Sequence, residues 1–346
     1  MNKNKQYKNI KDNYCFNKNP ENIEFFIDLG KGQSYAYNNL DNTFSIFYSI
    51  NKILYLIYAT EDSSLISYNI INKEIISKIK GAHYSNITNI IHYLDKINKR
   101  DLIMSVSKNN NNIKLWNIKN LFCILNIENI YNSSFLYSAC FLNDNNHNYI
   151  LTINGSNSDC IKVFNLFGTL VKNLNNSNEG GTFINSYYDN KSSKNYIITG
   201  NYGYAKSYEF ANNSIYHKYT HGGSNCIDSL IIFEKNGTTI LLGSSEDIDS
   251  KILIWNFHSG EILNKIELNC CYKLYGICLW NTDYLFVGSQ DKTIKLIELN
   301  SKIIVKELKG HNSNVSCVKK FFHPKYGECL ISQGFHDDTI KLWIIK

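Results

Sequence analysis

Arginine is all but missing from this sequence: Arg100 stands alone in 346 residues. With no Arg/Lys face interleaved with aromatics, nucleic-acid binding has little to rest on. Charge as a whole is scarce, at 19% of residues, against about 25% in ordinary soluble domains. No stretch approaches the length of apolar run that a transmembrane helix requires. The N-terminal lysines are not followed by an apolar core, which argues against a secretory signal. The expected setting is intracellular, cytoplasmic rather than nuclear. The ten cysteines form no CxxC pair and are expected as reduced thiols, mostly buried as small hydrophobes. Cys270, Cys271 and Cys278 cluster without the spaced histidines that would complete a zinc site, so no metal is expected. A Walker A loop, a GxSxG elbow, an HExxH helix and an EF-hand loop are also lacking. Gly180-Gly181 and Gly200-Asn201-Tyr202-Gly203 read as turns, because no helix N-terminus follows to cradle a phosphate. Glu246, Asp247 and Asp249 crowd one turn and read as a solvated loop. No catalytic residue and no cofactor is therefore assigned, and the chain is read as a non-enzyme.

Hydrophobic residues are plentiful, at 43%, enough for a sizeable core. Asparagine, lysine, isoleucine and tyrosine are all over-used, as an AT-rich coding sequence would produce, so single Asn and Lys residues carry little functional weight. The net charge of +6 is uneven: Lys3, Lys5, Lys8, Lys11 and Lys18 against Asp12 give residues 1–20 a net of +4. This segment is expected to be a disordered basic tail, with one folded domain over residues 21–346.

The strongest signal is internal repetition. Alternating strands recur at Leu65-Ile70, Ile113-Ile118, Ile161-Leu166, Ala205-Phe210, Ile252-Phe257, Ile294-Leu299 and Ile340-Ile345. Their reference residues are Tyr68, Trp116, Phe164, Tyr208, Trp255, Ile297 and Trp343, separated by 48, 48, 44, 47, 42 and 46 positions. Further β-rich runs bounded by Gly, Asn and Asp fill each interval, as hairpins require. Pro324 falls in a hairpin turn, where it removes no ladder bond. No helix-like period stands out. The expected fold is all-β: a single seven-bladed β-propeller, with four antiparallel strands per blade and repeats beginning near residue 43. The C-terminus stops after the third strand of the seventh unit. The segment Ile23-Asp28 has no unit of its own, so it is expected to supply the missing outer strand and close the ring.

The repeats resemble the WD40 (G-protein β-subunit-like) family. Gly310-His311, Val315-Ser316-Cys317-Val318, His323-Pro324 and Asp337-Asp338-Thr339-Ile340-Lys341-Leu342-Trp343 carry the likeness best, followed by Gly288 to Ile297. The resemblance implies a structural network of His, Ser or Thr, Asp and Trp within a blade. Its expected members are His311, Asp337 and Trp343; His221, Ser245, Asp249 and Trp255; and His83, Asn110 and Trp116. Asp62 and Asp291 match in blades with Tyr68 or Ile297 at the Trp position. It also implies partner contacts around the mouth of the propeller, at the residue before each Asp position: Glu61, Asn109, Asn157, Asn201, Ile248, Gln290 and His336. Tyr202, Tyr204, Trp280 and Phe335 are candidate aromatic anchors. The implied role is a non-catalytic scaffold or adaptor for other proteins or peptides. An RNA- or ribosome-associated propeller using the lysine tail is one alternative. A ubiquitin-ligase substrate receptor is another, although its usual arginine after the Trp-Asp pair is missing. A phosphoinositide-binding propeller with a paired-arginine motif is argued against by the single arginine.

Overall fold

The computed structural model describes residues 19–31, 43–131, 135–145, 147–155, 161–174, 180–220, 227–245, 251–268, 272–335 and 339–346. The basic tail lies outside the described residues apart from its last two positions. There are seven four-stranded antiparallel sheets. Blades 1 to 6 cover residues 44–79, 87–127, 136–174, 183–220, 227–267 and 274–309, and blade 7 combines residues 315–345 with Ile23–Lys31. The inner strands of successive blades pack against one another, and the inner strand of blade 7 returns to that of blade 1. The sheets therefore form a closed ring. The one helix among the described residues is a single 3-10 turn, Pro20–Asn22.

Apolar residues alternate along the second and third strands, and both faces of these strands are buried between neighbouring blades. Seven apolar clusters follow, one for each inter-blade interface. The sequence pattern ran one residue long at the third strand of blades 1 to 6. Ile70, Ile118, Leu166, Phe210, Phe257 and Leu299 are the first residues of the following turn. They tuck back toward the core, which makes them look like strand.

All seven blades carry the same irregularity. The register between third and outer strands slips at the reference residue: at Tyr68, Trp116, Phe164, Tyr208, Trp255, Ile297 and Trp343. The unmatched outer-strand residues are Ile76, Ile124, Val171, Tyr216, Leu263, Val305 and Phe26. A bulge of this kind bends the strand and sharpens its twist. In blade 7 the bulged strand comes from the opposite end of the chain. Its register, with Ile23 against Ile345 and Phe25 against Trp343, carries the bulge of the other six blades and a second one between Asp28 and Gly30. The expected closure by Ile23-Asp28 is thus observed, extended to Lys31.

The seam between blades 7 and 1 has additional ties. Lys319 Nζ donates to the Phe44 carbonyl, and Thr43 Oγ1 donates to Gln333 Oε1 at 2.5 Å. Lys341 Nζ meets Asp28 Oδ1 at 2.5 Å within the closing sheet. Elsewhere, glycine allows the blades to approach closely. A Cβ on Gly288 would lie 2.3 Å from the Val315 carbonyl oxygen of the next blade.

Ile23 is fully buried beside Trp343 and Phe286. Ile23→Ala should cost about 2–5 kcal/mol, as truncation of a buried Ile does. Gly288→Ala should cost about 1–3 kcal/mol through the backbone clash. Urea midpoints with unchanged m-values would check both.

Candidate functional site

Among the described residues, two blades carry indole–hydroxyl–imidazole relays behind the third strand. In blade 2, Trp116 Nε1 donates to Ser105 Oγ at 2.7 Å, and Ser105 Oγ lies 2.6 Å from His83 Nε2. His83 Nδ1 is 2.8 Å from Asn112 Oδ1. Because an amide oxygen only accepts, the ring proton belongs on Nδ1, and Nε2 accepts from the serine. In blade 7, Trp343 Nε1 donates to Ser332 Oγ at 2.8 Å, and His311 Nε2 lies 2.7 Å from the same hydroxyl. His311 Nδ1 is 3.4 Å from Thr339 Oγ1, and Asp337 lies outside the described residues. Burial pushes the His83 pKa down to about 4, against the opposing hydrogen bond to Asn112 and with help from the Lys114 charge. The imidazole is therefore neutral near pH 7.

Other network expectations change. The partner of His83 is Asn112; Asn110 sits in the half-exposed turn two residues earlier. In blade 5 the second-strand position that holds serine in blades 2 and 7 is Gly243, two residues beyond the Leu241 that pairs with Trp255. With no hydroxyl there, Trp255 Nε1 donates to the Thr220 carbonyl at 3.2 Å. The Ser245 side chain, His221 and Asp249 lie outside the described residues. Blade 3 builds a relay that a search for histidine misses: Tyr131 OH is 2.8 Å from Thr152 Oγ1. Asp291 accepts from Thr293 N and Oγ1 at 3.1 and 2.6 Å and from buried Lys295 Nζ at 2.6 Å. Asp62 accepts from Thr60 Oγ1 at 2.5 Å and Ser64 N at 3.2 Å, and these bonds hold its pKa near 2. Most of these sets tie a blade to the connection that leads into it, and Trp255 of blade 5 reaches the last residue of the blade 4 outer strand.

Strands within a blade alternate in direction. The second-to-third turns and the blade-to-blade connections therefore share one face, the mouth face. Glu61, Asn109 and Gln290 are exposed there. Asn201 is buried: its Oδ1 accepts from Thr199 Oγ1 at 2.9 Å and its Nδ2 donates to the Gly180 carbonyl at 2.7 Å. It braces the turn, and the exposed place passes to Tyr202. Asn157, Ile248 and His336 lie outside the described residues. Trp280 is buried against Phe286 in a turn of the opposite face. Tyr204 is half-buried under Lys218 Nζ, 3.9 Å from its ring, and Phe335 is half-buried. The mouth instead shows Tyr84, Phe135, Tyr202 and Tyr272, with Tyr84 93% exposed. Lys108 Nζ stands 4.1 Å from the Tyr137 ring and 5.7 Å from that of Phe135. Of the four exposed aromatics only Tyr202 was picked out in sequence, since loop exposure has no periodic signature.

On the opposite face a polar groove of about 700 Å³ lies between blades 3 and 4. Its charges are engaged: Lys194 with Glu209 at 3.1 Å, and Asp144 with Asn195 Nδ2 at 2.8 Å. Cys140, Cys278, Cys317 and Cys329 are buried, and burial raises the pKa of Cys140, Cys278 and Cys317. No group of three or more His, Cys, Asp or Glu suited to a metal occurs among the described residues.

Seven bulged sheets, two of them with an indole–serine–histidine relay, have the build of a WD-repeat β-propeller. The sequence pattern of the WD domain, G-beta repeat, matches residues 302–343, which run from the outer strand of blade 6 to Trp343. Over 125 residues the chain is 30% identical to the probable coatomer subunit beta' of Schizosaccharomyces pombe. That stretch is 35% of this chain and 15% of the relative. The chain is a seven-bladed β-propeller that carries a WD40 repeat over residues 302–343.

The His83 shift has a defined sign. The folded ring protonates near pH 4, and an unfolded histidine near about 6.5. Stability should be full above pH 6.5 and fall toward pH 4, by up to about 3 kcal/mol. His92 and His323, also lowered by burial, act in the same direction. Urea midpoints across this window should show a shallower slope in His83→Gln.

Proposed function

We propose that this chain is a non-catalytic platform that binds other proteins or peptides at its mouth face. The observation that carries this reading is the set of exposed aromatics there: Tyr84, Phe135, Tyr202 and Tyr272. Aromatic side chains dominate binding hot spots, because they bury much area at little entropic cost. The polar residues between them, Glu61, Asn109 and Gln290, suit hydrogen bonds to a peptide backbone or polar side chains. The blade networks support a non-catalytic role, since their polar groups are satisfied internally rather than turned toward one reacting centre. A relative named as a coatomer subunit fits a chain that works inside an assembly. The fold alone decides little, because it hosts many functions.

Affinity capture from native lysate with the full chain as bait should recover partners in stoichiometric amounts. Tyr84→Ser combined with Tyr202→Ser should lose them, at an unchanged melting temperature. Retention of every partner by that folded double variant would remove the mouth from the account.

A further inference from the structure

The face opposite the mouth is divided between two parts of the ring. On blades 1 to 3 its turns end in large apolar side chains: Ile50, Ile71, Ile97, Phe122 and Phe167. Phe122 is 66% exposed and Phe167 87%. On blades 4 to 6 the position of Ile71 and Phe167 holds Ala211, His258 and Asn300. The fold therefore does not require an apolar residue there. An exposed apolar patch without a structural purpose marks an interaction surface.

The tips form one arc. The blade 2 turn packs on the outer strand of blade 1, where Ser77 Oγ donates to the Asn120 carbonyl at 3.3 Å. The blade 3 turn packs on blade 2, with the Cα of Gly168 so close to Leu125 that an added Cβ would lie 3.0 Å from its Cδ1.

The same arc carries exposed Lys52, Lys73, Lys96, Lys99 and Lys119. Among the described residues none of these five is ion-paired. The acidic groups nearby do not offset them. Asp95 is buried and held by Asn98 and Arg100, and Asp144 is engaged by Asn195. Glu74 remains as the exposed carboxylate of these turns, with Asn72 Nδ2 donating to it. On blades 4 and 5 the lysines of this face are neutralised, Lys191 by Glu234 at 2.8 Å and Lys235 by Asp283 at 3.0 Å.

We propose that this face of blades 1 to 3 docks on an anionic lipid surface. Two features select lipid over a protein partner. The apolar groups stand on successive turns along the arc, which a protein would have to match turn by turn, whereas a deformable layer accepts them as they stand. The unpaired lysines lie among the tips, at the level where lipid headgroups would meet them. Recognition would rest on net headgroup charge and apolar insertion, and would need no paired arginines. No helix among the described residues is long and apolar enough to cross a membrane, and this mode of binding requires none.

The test is co-sedimentation of the full chain with vesicles of phosphatidylcholine alone and of phosphatidylcholine with phosphatidylserine. Binding is expected to the second kind and to weaken with salt. Phe122→Ser with Phe167→Ser, and Lys73→Glu with Lys96→Glu and Lys99→Glu, should each weaken it at least tenfold. Both sets change exposed side chains, so melting temperatures should hold. Absence of binding by the folded wild-type chain would overturn the proposal. So would binding that both variants retain, which would point to the N-terminal lysines instead. Polyglutamate binding without vesicle binding, lost in the lysine variant, would reassign the surface to an acidic protein and equally overturn it.

Discussion

A ring of sheets stands or falls on the pairing of its two ends. Each blade is apolar on both faces and buries them against two neighbours, so a missing contact anywhere exposes two surfaces at once. The pairing of Ile23–Lys31 with Thr339–Ile345 supplies the outer strand that the seventh sheet would otherwise lack. It also removes an open ladder edge. Ile23 and Trp343 then share one core with Phe286 and Leu308 of blade 6. Closure is thus joined to the packing of an interface that neither end of the chain could build alone. All seven outer strands share the bulge opposite the reference residue, and the strand from the other end of the chain adds a second one between Asp28 and Gly30. The ring thus fixes that one irregularity and tolerates another beyond it.

Much of this architecture was legible in sequence, because it rests on hydrogen-bond geometry that repeats. Reference residues some 42 to 48 positions apart located every third strand, and counting strands exposed the missing one. The networks were less legible, because similar hydrogen bonds can be made by different residues. Tyr131 and Thr152 do in blade 3 what His83 and Ser105 do in blade 2. Gly243 removes the serine position of blade 5, yet Trp255 still finds the Thr220 carbonyl. Asn110 and Asn112 look interchangeable in a run of asparagines, and only the turn geometry separates them. Asn201 shows the same limit at the mouth: a polar loop residue can brace its own backbone as readily as face a partner.

The two faces follow different physical logics. The mouth joins aromatic rings to polar groups such as Glu61, Asn109 and Gln290, a combination suited to directional contacts with a structured partner. The opposite face of blades 1 to 3 joins aliphatic and phenyl groups to unpaired ammonium groups, a combination suited to contacts that need little shape matching. Lysine serves the second role where arginine would serve the first. Its ammonium is a compact charge without a planar fork, and gains little from stereospecific recognition.

The third-to-outer turn shows how a rigid ring leaves room for such differences. Its first residue, Ile70, Ile118, Leu166, Phe210, Phe257 or Leu299, is drawn in toward the core and is always large and apolar. The next residue points away from that constraint and varies without pattern: Ile71, Lys119, Phe167, Ala211, His258 and Asn300. One position anchors the turn, so its neighbour is free to change chemistry at almost no cost to the fold. A phenylalanine that stands 87% exposed at such a free position is therefore better explained by what it touches outside the ring than by anything within it.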